Sequence, residues 1–156
     1  MKTPELEAIN SVRYLFLREL SEPKDNSLRI VVEEAVVNEA SRGQIAEPSL
    51  PELAEILKGA AYIESTDGCR IFEILWDHYV AYLVTEECVG SCGKHDDEEF
   101  TGKLFRTYSK SHFLELLAKD TGGHFEPVVH HKLVCENHII DVASVSDPAI
   151  HVIETT

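Results

Sequence analysis

Four cysteines and eight histidines are the residues of this chain best equipped for chemistry. Cys88, Cys92 and His95 follow one another with gaps of three and then two residues, and Cys135 and His138 stand two residues apart further on. Thiolate and imidazole are the donors of tetrahedral zinc sites, so Cys88, Cys92, His95 and His138 form a candidate metal set. The spacing is loose, because zinc sites more often repeat a two-residue gap. Residues three apart on a strand face opposite ways, so Cys135 and His138 can act together only across a turn. The expectation is therefore an unliganded loop with Cys135 as an ordinary buried thiol. No cofactor is expected, zinc being the alternative.

The remaining candidates have plainer readings. His130 and His131 are neighbours on a strand-like run, point to opposite faces and cannot simply share a ligand. His78 beside Asp77, and His138, read as turn or surface residues rather than general bases. Ser109, Lys110, Ser111 and His112 resemble a nucleophile cluster, yet a serine directly before an apolar helical stripe is what a helix cap looks like. The chain has no Gly-x-Ser-x-Gly, no glycine-rich phosphate loop, no His-Glu-x-x-His and no paired Cys-x2-Cys. No catalytic residue is assigned.

Charge points to a partner. The 28 acidic residues against 14 basic ones leave a net charge of −14. Such a surface repels phosphate backbones and anionic lipid, so nucleic acid and membranes are not expected, and a basic protein is the natural complement. Glu86, Glu87, Asp96, Asp97, Glu98 and Glu99 frame the most polar segment of the chain, with only Lys94 and His95 to offset them. This segment is expected to be an exposed loop that steers a basic partner. No run of roughly 18 apolar residues and no export signal is present, which makes a soluble cytoplasmic protein the expectation. The 156 residues read as a single domain, 1–156, with no linker to divide it.

The elements that must position these groups follow from periodicity. Thr3 before Pro4 starts a short helix. Alternation from Ser11 and the β-branched run from Leu28 to Val37 read as an antiparallel hairpin, although Leu28, Val31, Val32, Ala35 and Val36 would also make a helical stripe. Ser49 and Glu52 form a capping box for a helix ending at Gly59, and residues 62–64 suit an edge strand. Cys69 to Trp76 and Tyr79 to Glu87 are apolar on both faces and separated by Asp77 and His78 alone. They are expected to form a tight central hairpin, with Trp76 buried opposite Tyr79. Leu104 to Tyr108 is a strand. A helix capped by Ser109 or Ser111 then buries Phe113, Leu114, Leu117 and Ala118 and stops at Gly122. Val128 to Cys135 and His138 to Val145 close the fold as a hairpin turning at Glu136 and Asn137.

Three runs, Phe72-Glu73-Ile74-Leu75-Trp76, Leu104-Phe105-Arg106-Thr107-Tyr108-Ser109-Lys110-Ser111-His112-Phe113-Leu114 and Val134-Cys135-Glu136-Asn137-His138-Ile139-Ile140-Asp141-Val142, resemble small uncharacterised bacterial single-domain proteins. That resemblance implies a bacterial origin and a compact domain. In size and acidity the chain is also similar to the immunity proteins that neutralise secreted bacterial toxins.

The expected fold is α+β, a largely antiparallel sheet of about six or seven strands with two or three helices. The expected function is a non-catalytic, acidic, cytoplasmic binding protein that recognises a basic partner, with an immunity-type role as its concrete form. The alternative is a small metal-dependent or acid/base enzyme using the loop from Cys88 to His95 together with His138.

Overall fold

A computed structural model describes residues 3–44, 51–90, 96–124 and 127–153. Helix α1 (Pro4–Ser11) starts as expected, with Thr3 Oγ1 accepting the Leu6 N–H at 3.2 Å. Strands β1 (Tyr14–Ser21) and β2 (Leu28–Val37) pair antiparallel. The strand reading of β2 holds because its burial alternates, with Leu28, Ile30 and Val32 buried while Arg29, Val31 and Glu33 are only partly covered. A single 3-10 turn (Glu39–Ser41), α2 (Pro51–Leu57) and β3 (Ile63–Glu64) lead to β4 (Ile71–Trp76). The capping serine expected at position 49 lies outside the described residues. β4 runs between β2 and the last strand, β10 (Ala149–Ile153), giving the order β1-β2-β4-β10 with β3 on β2. The inner face of this sheet is apolar. Its outer face carries ion pairs, including Arg29 between Glu19 at 2.7 Å and Glu73 at 2.6 Å.

The second sheet holds β5 (Tyr79–Glu86), β6 (Glu99–Thr101), β7 (Phe105–Lys110), β8 (Val129–Val134) and β9 (His138–Ser144), in the order β5-β9-β8-β7-β6. Between them lie α3 (Glu87–Gly90) and α4 (His112–Thr121). The fold is thus α+β and antiparallel, with ten strands in two sheets and four helices among the described residues. Among those residues, no helix is long and apolar enough to cross a membrane.

The expected hairpin between β4 and β5 does not form. β4 pairs with β2 and β10, whereas β5 pairs with β9 at the edge of the other sheet. The reason lies in the connection. A two-residue hairpin loop of the favoured kind needs positive φ, which glycine or asparagine supplies. Among the described non-glycine residues only Asn26 has it, and Asp77 and His78 do not. The chain instead crosses from one sheet to the other, and the β1–β2 turn holds it there. Tyr79 N–H donates to the Asn26 carbonyl at 2.8 Å, and the Tyr79 and Tyr82 hydroxyls donate to Glu22 Oε1 at 2.9 and 3.0 Å.

Both sheets contribute to one core. Trp76, 2% exposed, lies 6.4 Å from the Phe105 ring and 6.0 Å from that of His131, both on the second sheet. Two amides fasten the layers at their margins. Asn137, in the β8–β9 turn, accepts from Leu17 N–H at 2.9 Å and donates to the Leu17 carbonyl at 3.0 Å, copying a strand pairing with β1. Asn10 Oδ1 accepts the N–H groups of Lys103, Leu104 and Phe105 at 2.7, 2.9 and 3.1 Å. That turn requires glycine at 102, where φ is +93° and a Cβ would come within 2.0 Å of the Phe105 carbonyl oxygen.

Removing the inter-layer ring should be expensive. Trp76→Ala is expected to lower stability by on the order of 3–5 kcal/mol in denaturant unfolding. A variant that unfolds at the wild-type midpoint would mean that the two sheets do not pack through this residue.

Candidate functional site

Strand β8 carries two adjacent imidazoles, each bonded to a carboxylate. His130 faces outward under α4, and His131 faces the inter-sheet core, so the neighbours point apart as the strand period requires. His130 is fully buried, with Nδ1 2.9 Å from Ser111 Oγ and Nε2 2.8 Å from Asp141 Oδ1. Every group in this chain is satisfied if Nε2–H donates to Asp141 and the Ser111 hydroxyl donates to Nδ1. Ser111 Oγ also accepts Leu114 N–H at 3.1 Å as the cap of α4, whose other end stops at Gly122 with φ 63°. Lys132 Nζ joins Asp141 at 3.2 Å. Burial pulls its ammonium down, but the Asp141 carboxylate and Tyr108 more than compensate and hold its pKa above the ordinary lysine value.

Serine, imidazole and carboxylate in a row have the connectivity of a nucleophile triad. Here the arrangement serves packing. Ser111 is 2% exposed and its oxygen is committed to the cap, so a substrate carbonyl has no approach to it. The rings of Tyr108 and Phe113 lie 4.3 and 5.1 Å from His130. The cap reading of Ser111 holds, and sequence reasoning missed only that the same hydroxyl also anchors a buried histidine. Helix α4 itself packs less deeply than its apolar stripe suggests. Phe113, Leu114 and Leu117 are half-buried, Ala118 is exposed, and no residue of the helix is fully covered.

His131 is 2% exposed and its Nε2 sits 3.2 Å from Asp147 Oδ1. Burial pushes its pKa down to about 4, against the opposing pull of Asp147, so the imidazole is neutral at pH 7. Its Nδ1 meets no hydrogen-bond partner among the described residues. No spacing rule marked this residue. The available signal was two histidines in one strand whose sheet is covered on both faces.

The six acidic residues of the polar segment fall into two groups. Register places Glu86 opposite His138 at one end of edge strand β5, and Glu99 opposite Lys110 at the other end of edge strand β6. Four strand spacings, roughly 19 Å, separate these edges, so the groups occupy diagonally opposite corners of the sheet. The second group is tied to α4. Asp97 Oδ1 lies 2.8 Å from His112 Nε2, and Glu98 Oε1 accepts His112 N–H at 2.9 Å, as suits an anion at a helix N-terminus. Glu99, expected in an irregular loop, opens β6.

At the first corner the charge of Glu87 reaches Glu136 of the β8–β9 turn. Partial burial and then the charge of Glu87 push the Glu136 carboxyl above its ordinary value. The Cys88 thiol, 3.6 Å from Glu87 Oε2, is likewise pushed up, first by that hydrogen bond and then by the charges of Glu86 and Glu87. Such a thiol is a poor nucleophile near neutrality. Of the four candidate metal ligands, Cys88 lies in α3 and His138 opens β9 opposite Glu86. Cys92 and His95 lie outside the described residues. Among the described residues no group of three or more His, Cys, Asp or Glu side chains is placed to hold a metal. Cys135 is buried, as expected, with its thiol pushed up to about 12 by desolvation.

Comparison of the chain with protein-family models, with curated proteins and with solved structures found no match.

Two titrations check this geometry. The folded pKa of His131 is depressed, so its contribution to stability is complete above about pH 6.5 and is lost as pH falls toward 4. Between about pH 7 and pH 4.5 the wild type should lose about 2–3 kcal/mol more than His131→Leu in urea unfolding. Parallel losses would show that the imidazole is not held neutral. In the second titration, His112 is raised by its hydrogen bond to Asp97 and then by that residue's charge. Asp97→Asn should therefore move the His112 NMR titration down toward the ordinary histidine value, and an unmoved curve would break the link between this carboxylate and α4.

Proposed function

We propose that the protein is a non-catalytic binding protein that recognises a basic protein partner through its acidic surface, with an immunity-type role as the concrete form. The carrying observation is the corner where Glu86 ends β5, Glu87 opens α3 and the Glu136 carboxyl is pushed upward, first by partial burial and then by the charge of Glu87. Like charges held together in a partly desolvated corner are relieved when a cationic side chain arrives. Lysine or arginine from a partner would do this and would speed encounter through the long-range field. The net charge of −14 acts in the same direction. Asp97 and Glu98 are tied to α4 through His112.

The test uses the immobilised full chain and lysate of the source cell. Wild type is expected to retain a basic protein at about 0.15 M salt and to lose it as salt rises and the Debye length shrinks toward roughly 3 Å at 1 M. The variant Glu86→Lys, Glu87→Lys, Glu136→Lys should capture at least about tenfold less of that protein while unfolding at a similar midpoint. Capture that is unchanged by the charge reversal, or a captured protein that is not basic, would overturn the proposal.

A further inference from the structure

Strand β5 ends the second sheet and, among the described residues, pairs with β9 on one side only. A sheet edge presents a row of unused backbone N–H and C=O groups that another extended chain can complete. We propose that β5 receives an added strand, an extended segment of the partner that carries lysine or arginine toward both of its ends. The proposal rests on the basic-partner reading above and names how that partner is held.

This edge is left unguarded where the others are not. Folded proteins protect sheet edges with short strands, charges, proline or bulges. Strand β6 has three residues, the first of them Glu99, and β10 has five and lies beside α1. Strand β1 carries Arg18 and Glu19 where its register breaks. By contrast β5 runs for eight residues without lysine, arginine or proline, and its one charged residue, Glu86, is the last. Its own irregularity falls between Tyr79 and Ala81, which leaves Ala81 to Glu86 in continuous register. Leu83 is 50% exposed and Val84 40%. Successive residues of a strand point to opposite faces, so β5 is open on both faces here as well as along its edge. An incoming strand would cover Leu83 and Val84 with alternate side chains while its backbone completes the ladder.

Charge selects which strand fits. Glu22 accepts from the Tyr79 and Tyr82 hydroxyls at one end of the edge, and Glu86 and Glu87 stand at the other. Lys24, from the same turn as Glu22, is paired with Asp77 at 3.7 Å. The edge is therefore an apolar middle between two acidic ends. A second copy of this chain fits it badly. Antiparallel two-fold pairing would bring Glu86 of one copy to the end that carries Glu22 in the other, and parallel pairing would set Glu86 beside its own counterpart. Each copy would also bring a net charge of −14. A segment with cations flanking a few β-branched residues meets both ends with opposite charge.

The probe is a capped peptide of about eight residues in which threonine and valine alternate between terminal pairs of lysine. Two counterparts separate the contributions, one with proline in place of valine, which removes ladder N–H groups, and one with glutamate in place of lysine. Calorimetry and NMR with amide hydrogen exchange, on the full chain at about pH 7, are the readouts. The lysine peptide should bind at least about tenfold more tightly than either counterpart and should slow exchange of alternate amides between Ala81 and Glu86 by about tenfold or more. Leu83→Lys and, on the opposite face, Val84→Lys put a charged guard on the edge, and each should weaken the lysine peptide at least about tenfold while unfolding at the wild-type midpoint. Equal binding of the proline peptide, or binding without slowed exchange in β5, would overturn the added strand. Either result would leave the acidic surface standing, because charge reversal at Glu86, Glu87 and Glu136 tests that surface separately. No binding of the lysine peptide, equal binding of the glutamate peptide, or a dimer of the wild type that protects the same amides without peptide would likewise overturn the proposal.

Discussion

The burial of two adjacent imidazoles on β8 constrains everything around them. A strand that removes a histidine from water on each of its faces must be covered twice, and each imidazole needs a partner supplied from elsewhere in the chain. On the inner side the first sheet provides the cover, with Trp76 packed near His131, and the turn after β9 provides Asp147. On the outer side α4 provides the cover, its cap Ser111 reaches His130, and β9 delivers Asp141 from the register position next to Lys132. The sandwich, the placement of α4 and the final turn all meet these requirements at once. The cost of leaving any of the groups unpartnered ties the elements together.

The acidic excess is distributed by the same logic. Several carboxylates hold the structure together: Glu73 and Glu19 with Arg29, Glu34 with Arg70, and Glu98 at the start of α4. Most of these pairs are partly exposed and contribute modestly to stability. They nevertheless remove their members from the pool that a partner could use.

The amino-acid sequence by itself determined the elements and much of their pairing. Period-two alternation marked β1, a β-branched run marked β2, and the turn at Glu136 and Asn137 marked the β8–β9 hairpin. Thr3, Ser111 and Gly122 marked helix ends, because these signals are local and their physics is complete within a few residues. Net charge and the lack of familiar catalytic motifs were equally visible. Tertiary structure alone decided that β4 and β5 part company. Asp77 and His78 lack the positive φ that a tight hairpin needs, and the partners that compensate, Asn26 and Glu22, lie more than fifty residues earlier. It also separated the acidic run into opposite corners, since strand order places β5 and β6 at the two edges of one sheet. The pairing of His130 with Asp141 and of His131 with Asp147 could not be read in advance either. Any histidine can be solvated on a surface or buried with a carboxylate, and which occurs depends on what covers the strand, a property of the assembled layers and of no local stretch of chain.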